Sequence, residues 1–332
     1  MKFGLALPHY DFSSPDGGPV SYERVRDCAR DAERLGFHSV WISDHFFLSL
    51  ARYGGGPDLH GSLEPLTTLA ALATETDRIR LGTLVLGASF RPPGILAKMA
   101  TAVDLLSGGR LDLGIGAGWY EEEFRAFGYG FGEAGERFEI LEETLQVLRF
   151  LFSEGPSDHA GKRFRLEGAF NRPRPAQPQG PPIWLGAKGG PRSLRLAARL
   201  ADGWNTVWRW TVEDYAERVA AARRICEREG RDPGTLRQSV GLYTLVGEDR
   251  KDVERRYRAL QKWAPGGSLD GQSLEEFSVG ALAGTPEQVL DTVSAFAAQG
   301  VGEIILSAAS LPFAVFDPGT LELFSGTVIA RA

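Results

Sequence analysis

The feature that most constrains this chain is a switch of hydrophobic rhythm, from short apolar runs to helical spacing and back, repeated along all 332 residues. Met1 to Pro8 opens with an apolar run that Pro8 stops, which reads as a first strand. From Ser21 to Leu35, Val25, Cys28, Ala29, Ala32 and Leu35 fall on one helical face, and Gly36 supplies the stop. Phe37 to Ile42 is short, β-branched and aromatic, a buried strand. The same unit recurs. Pro65 to Thr76 reads as helix, Ile79 to Leu86 as strand, Pro93 to Leu106 as helix and Leu111 to Ile115 as strand. Arg137 to Phe152 reads as helix, Ile183 to Leu185 as strand, Ser193 to Leu200 as helix and Gly203 to Thr206 as strand. Thr211 to Glu229 reads as helix and Ser239 to Val246 as strand. Thr285, Pro286 and Gln288 form a capped helix start, and Glu303 to Leu306 is the eighth strand. Eight strands alternating with helices predict an α/β fold of the (β/α)8 TIM-barrel type, one domain over residues 1–332.

A minimal barrel takes ~250 residues, so roughly 80 more must lie in insertions. The expected segments are 46–64, 119–136, 155–182 and 249–284, and those that follow strands wall the C-terminal mouth, where this fold holds its active sites. The net charge of −6, with no basic stripe, argues against a nucleic-acid partner. No apolar run approaches a bilayer span, and the expectation is a cytoplasmic protein with no membrane role. Cys28 and Cys226 sit in helical patterns without metal-ligand spacing, and no dense ligand cluster appears elsewhere, so no metal is expected.

Chemistry is sought at the strand ends. Asp44 and His45 follow the second strand directly, and a histidine there can exchange protons near neutral pH, with a carboxylate fixing its tautomer; it can equally be a structural cap of the strand. His9 follows the first strand as a weaker candidate for the pocket, while His60 and His159 fall in polar loops and His38 at the opposite end. The run Gly114 to Gly118 reads either as a tight turn or as backbone that a flat ring can approach, with Trp119 and Tyr120 as walls. It is a poor dinucleotide fingerprint, since no well-patterned helix follows. Gly186, Ala187, Lys188, Gly189, Gly190 and Arg192 join a strand to a helix start, where free N–H groups and two cations suit a phosphate.

Taken in order, Leu35 to His45, Leu81-Gly82-Thr83 with Arg91-Pro92-Pro93, Ser107 to Trp119, Ala201 to Trp204 and Gly284 to Glu287 resemble the luciferase-like monooxygenase superfamily. The resemblance is strongest to its branch that uses the deazaflavin coenzyme F420, and it covers nearly the whole chain. It implies a barrel mouth that holds an isoalloxazine-like ring, with His45 near the reacting edge and Asp44 orienting it. It also implies a non-prolyl cis peptide near Leu84-Val85 behind the ring, the coenzyme phosphate on Lys188 to Arg192, and a homodimer. The implied activity is hydride transfer between F420 and a small organic substrate, with Arg91, Lys188 and Arg192 serving an anionic tail. The alternatives are a two-component monooxygenase using reduced FMN and a flavin-binding barrel without turnover. The branch's sugar-phosphate dehydrogenases carry a glutamate after the fourth-strand glycines, where this chain has Trp119. That departure argues for a less polar substrate.

Overall fold

The computed structural model describes residues 1–13 and 18–332. Eight parallel strands close into a barrel: β1 Lys2–Ala6, β2 Ser39–Ile42, β3 Arg80–Thr83, β4 Leu111–Gly116, β5 Ile183–Gly186, β6 Gly203–Val207, β7 Arg237–Val246 and β8 Glu303–Ser307. Closure runs through the pairing of Ile183 with Leu113 on one side and of Lys2 with Glu303 on the other. The outer helices are α1 Tyr22–Arg34, α2 Pro65–Glu75, α3 Pro93–Leu106, α4 Ala134–Phe152, α5 Pro191–Leu200, α6 Val212–Arg228, α7 Arg250–Trp263, α8 Pro286–Ala298 and α9 Pro318–Phe324. None of these helices is long and apolar enough to cross a membrane.

The helix starts and stops follow from local chemistry. The Ser21 side chain accepts from the Arg24 N–H to begin α1, and Gly36, at φ 84°, takes the left-handed turn that ends it. In α8, Thr285 and Gln288 form the expected capping box behind Pro286.

The strands alternate between two cores, because successive side chains point to opposite faces. Leu5, Val40, Leu81, Leu113, Leu185, Val240 and Ile304 face the helices and are almost completely buried there. Ala6, Trp41, Trp184 and Ile305 belong to a second cluster that fills the barrel and extends to its mouth. Trp41 and Trp184 meet edge to face at 6.2 Å. Each needs a glycine beside it: a Cβ on Gly82 would lie 2.2 Å from the Trp41 ring, and one on Gly203 2.3 Å from the Trp184 ring. Large and small residues thus interleave to fill the interior, as expected of a packed barrel.

Polar groups close the other end. Trp41 Nε1 donates to Ser39 Oγ at 2.7 Å, and Ser39 donates to the carboxyl of Glu303. Trp184 Nε1 donates to Asp112 at 3.2 Å, and Arg80 pairs with the same carboxylate. Burial pushes the Glu303 carboxyl up to about 7, more than the Ser39 bond can offset. Between its ordinary value and 7 the folded chain holds a proton that the unfolded chain releases, so this group lowers stability as pH rises through that window. Glu303→Gln keeps an acceptor for Ser39 and removes the titration. We expect the variant to lose about 2 kcal/mol less than the parent between pH 5 and 8 in urea unfolding, and equal losses would refute the assignment.

Five segments depart from the sequence expectations. The third strand, read as running from Ile79 to Leu86, is interrupted by a cis peptide at Leu84-Val85, after which Leu86–Gly87 pairs beside Ile115–Gly116. Residues 249–284 hold α7, capped by Asp249 with Val253, Tyr257 and Leu260 inward, and a short strand Leu282–Gly284 parallel to the end of β7. The segment after β4 contains a helical turn, Glu121–Ala126, where no helix was expected. His60 and His159 are not in open loops: each lies in a strand of a small hairpin, with rings against Phe12 and Phe150.

Candidate active site

A cavity of about 860 Å³ opens at the C-terminal ends of the strands. Its floor is the irregular backbone Leu84 to Gly87, and its walls come from the segments after β2, β4, β6, β7 and β8. Glycine on β4 and β5 makes room for that floor. A Cβ on Gly116 would lie 2.9 Å from Val85, and one on Gly186 2.7 Å from the same side chain. The run Gly114 to Gly118 was read as a tight turn or as backbone that a ring can approach, and Gly186 as part of a phosphate segment; Gly116 and Gly186 admit Val85, whose side chain lies against them.

His45 lies at the cavity with its side chain 15 % exposed. Its Nδ1 is 2.9 Å from Glu123 Oε1, and the second oxygen of Glu123 accepts the Phe46 N–H at 3.0 Å. Glu123 is 1 % exposed. A carboxylate accepts, so Nδ1 carries the proton and Nε2 is left to exchange one. The His45 carbonyl is anchored by the Ser62 hydroxyl, and the ring meets Trp119 edge-on at 5.4 Å.

Asp44 does not orient His45, contrary to the sequence expectation. It receives both terminal nitrogens of Arg91, at 2.6 and 2.9 Å, and the Gly87 N–H at 2.9 Å. Arg91 also bonds Glu64 at 2.5 Å, so this cation is committed to two carboxylates and is not a free contact for an anionic tail. The pair ties the end of β2 to the floor.

His9 is completely buried and does not line the cavity. Its Nδ1 lies 2.9 Å from the Leu7 carbonyl, so Nδ1 donates and Nε2 accepts from Ser43 at 3.0 Å; Tyr10 reaches the same hydroxyl at 2.5 Å. Burial pulls the His9 imidazole down to about 4, which keeps it neutral at physiological pH. Tyr120 also stands behind the wall, against His45, Phe47 and Trp119, while Trp119 itself lines the cavity.

Of the expected phosphate segment, Gly186, Ala187 and Lys188 line the cavity, and Gly189, Gly190 and Arg192 do not. Burial lowers the Lys188 ammonium, which donates to the Val207 and Trp208 carbonyls. Arg192 donates to the Gly135 carbonyl and stacks over Phe138. The start of α5 at Gly190 has no side-chain cap. Among the described residues no group of three or more His, Cys, Asp or Glu is placed to hold a metal.

Sequence reasoning missed several groups here. Glu123 was hidden in the run Glu121-Glu122-Glu123, which looks like the solvated first turn of a helix; the apolar Phe124 beside it was the one sign that this side turns inward. Thr206 and Ser310 line the cavity with buried hydroxyls that have no partner among the described residues. Arg137, whose buried Nε is likewise unpartnered, reaches it from α4.

Residues 1–303 match the family model described as luciferase-like monooxygenase. An F420-dependent hydroxymycolic acid dehydrogenase of Mycobacterium tuberculosis is 31% identical over 326 residues, 96% of this chain and 84% of that protein. An F420-dependent glucose-6-phosphate dehydrogenase of Kineococcus radiotolerans is 33% identical over 244 residues, 73% of this chain and 68% of the other. Among solved structures, the monooxygenase RslO1 from Streptomyces bottropensis superposes with a TM-score of 0.78 at 26% identity, over 100% of this chain and 99% of that one. An F420-dependent secondary alcohol dehydrogenase in complex with an F420-acetone adduct gives the same TM-score at 20% identity, over 100% and 99%, a likeness of fold. With the closed barrel, the cis peptide at Leu84-Val85 and a family match over nine-tenths of its length, the chain belongs to the luciferase-like monooxygenase family of oxidoreductases.

Proposed function

We propose that this protein is an F420-dependent oxidoreductase that moves a hydride between the coenzyme and a small organic substrate, with His45 handling the accompanying proton. The observation that carries the reading is the His45–Glu123 pair, held beside the Leu84-Val85 floor at the edge of a cavity large enough for a tricyclic ring.

The residues present fit such a group. Leu84, Val85 and Leu86 form an apolar ledge, and the unpartnered hydroxyl of Thr206 offers a hydrogen bond to a polar ring edge. Lys188 and Arg137, at the cavity near the expected phosphate segment, supply positive charge for an anionic tail. When bound, F420 supplies a carbon centre that accepts or delivers a hydride. The chain's own part is geometric and electrostatic. Glu123 fixes the His45 tautomer so that Nε2 can take a proton from a substrate hydroxyl, or return one in the reverse direction, and stabilises the imidazolium that forms. Trp119 and the aromatic residues around the mouth exclude water from that exchange.

Titrating the apoprotein with each coenzyme tests the choice. We expect F420 to bind at least about tenfold tighter than FMN, through the additional tail contacts. Tight FMN binding with no response to F420 would overturn the reading in favour of a reduced-FMN monooxygenase.

A further inference from the structure

We propose that Arg52 is the specificity-determining residue of the substrate half of the cavity, and that it selects substrates with a flat apolar body and a carboxylate. The proposal rests on the oxidoreductase reading for the location of the reacting carbon, beside His45.

The argument begins with the cations that line the cavity. Arg137 bonds the Phe131 and Gly132 carbonyls through one terminal nitrogen, at 3.2 and 2.7 Å, and its unpartnered Nε belongs to the half of the cavity given above to the coenzyme tail; Arg209 donates to the Phe277 carbonyl at 2.9 Å. Lys188 is committed to the Val207 and Trp208 carbonyls. Arg52 differs. Its guanidinium lies over the Trp119 ring, 4.4 Å from the centroid, and among the described residues it has no carboxylate or carbonyl partner. Stacking uses the face of a guanidinium and leaves its N–H edge free, which is the edge that grips a carboxylate with two parallel bonds. Trp119 is also the residue that meets His45 edge-on, so one indole ring separates the free cation from the proton-handling group.

The fold makes this placement deliberate. Arg52 stands on a helical turn, Leu50–Tyr53, between the strands Phe47–Ser49 and Leu59–Gly61 of the hairpin that follows β2. Ser49 caps the turn, and Gly54, at φ 82°, ends it. Leu50 is buried beneath, which leaves Arg52 and Tyr53 on the cavity side. The same cavity carries an aromatic wall: Trp208 stacks on Tyr243 at 5.4 Å and meets Phe313 edge-on at 5.6 Å. The buried hydroxyl of Ser310, 7 % exposed and without a partner, lies in the same wall. Flat apolar surface, one buried hydroxyl and one unspent guanidinium at the rim describe a small aryl carboxylate better than a neutral alcohol or a polyhydroxylated sugar.

Calorimetric titration tests this with phenylacetate, 3-phenylpropionate and 4-phenylbutyrate, each against its neutral amide, on the F420-loaded protein and on the apoprotein. At least one acid should bind about 3- to 5-fold tighter than its amide, the upper end of what a solvent-exposed ion pair such as Arg52 makes at the rim contributes. The preference should fall to within about twofold in Arg52→Gln, survive in part in Arg52→Lys, and shrink in high salt. F420 affinity, read from the coenzyme's own absorbance, should be the same in Arg52→Gln as in the parent. Equal binding of acid and amide, no binding of any acid, or a preference retained in Arg52→Gln overturns the proposal. Loss of F420 affinity in Arg52→Gln also overturns it, by assigning the residue to the coenzyme tail. Failure of the parent to bind F420 refutes the functional reading instead, and the apoprotein titrations still read Arg52 by itself.

Discussion

His45→Ala should lower kcat by about 10²- to 10⁴-fold while F420 affinity stays close to that of the parent, with a fall of a few degrees in Tm because the buried Glu123 keeps only the Phe46 N–H. The argument is local. His45 is anchored through its backbone by Ser62 and through Nδ1 by Glu123, so removing the imidazole leaves the strand end and the coenzyme ledge in place. Glu123→Gln sharpens the test. Glu123 accepts at both oxygens, from His45 Nδ1 and from the Phe46 N–H, and a glutamine has only one oxygen for two donors. If the amide oxygen stays on Phe46, its NH₂ group faces Nδ1 and forces the other tautomer, which puts the proton on Nε2. A base that must accept at Nε2 is then disabled with its shape intact, and a loss approaching that of His45→Ala is expected. The tautomer checks the argument directly: the ring-nitrogen NMR shifts of His45 should report the proton on Nδ1 in the parent and on Nε2 in Glu123→Gln. A His45→Ala variant with undiminished turnover would remove the proton-handling role altogether.

The scaffold was legible in the sequence because the residues that carry the family pattern are the ones that build it. In Ser107-Gly108-Gly109-Arg110 the two glycines take positive φ, and Arg110 gathers the carbonyls of Ala73, Thr76 and Ile79 at the end of α2. In Ala201-Asp202-Gly203-Trp204, Asp202 accepts from Arg149 and from the Ile183 N–H, and Trp204 donates to the Ala187 carbonyl that leads into α5. Such residues report strand ends and loop anchors through period and turn chemistry. The cis peptide was placed correctly at Leu84-Val85 by the resemblance, but no rhythm in the residues marks it, and the strand was read straight through it. The partners of the site were not legible for a different reason. Glu123 reaches His45 across 78 positions, and Arg91 reaches Asp44 across 47, and local sequence carries no signal for such a pairing. Asp44 was matched with His45 by the resemblance and by adjacency in the chain, neither of which carries the position of Arg91. At a strand end, consecutive side chains point to opposite faces, which is why the two neighbours serve different partners.

That division yields the second large effect, on stability and not on the chemical step. The Arg91 side chain is 12 % exposed and Asp44 3 %, so Asp44→Ala leaves a mostly buried guanidinium with Glu64 as its one remaining carboxylate. Breaking a buried pair from one side costs about 3–5 kcal/mol, and the retained Glu64 contact brings the expectation to roughly 2–4 kcal/mol, a fall in Tm of about 3–6 °C for a chain of this length. The same change strips the Gly87 N–H of its acceptor at the edge of the Leu84-Val85 floor, so F420 should bind at least several-fold more weakly. Thermal melts and coenzyme titration check both, and the double variant Asp44→Asn with Arg91→Gln should recover part of the lost stability, because it removes the unpaired charge along with its partner. The His45 tautomer should be unmoved in Asp44→Asn, since Nδ1 of His45 is already held by Glu123. An Asp44→Ala protein that melts like the parent and binds F420 equally well, yet no longer turns over, would return Asp44 to the chemistry and leave its bond to Arg91 incidental.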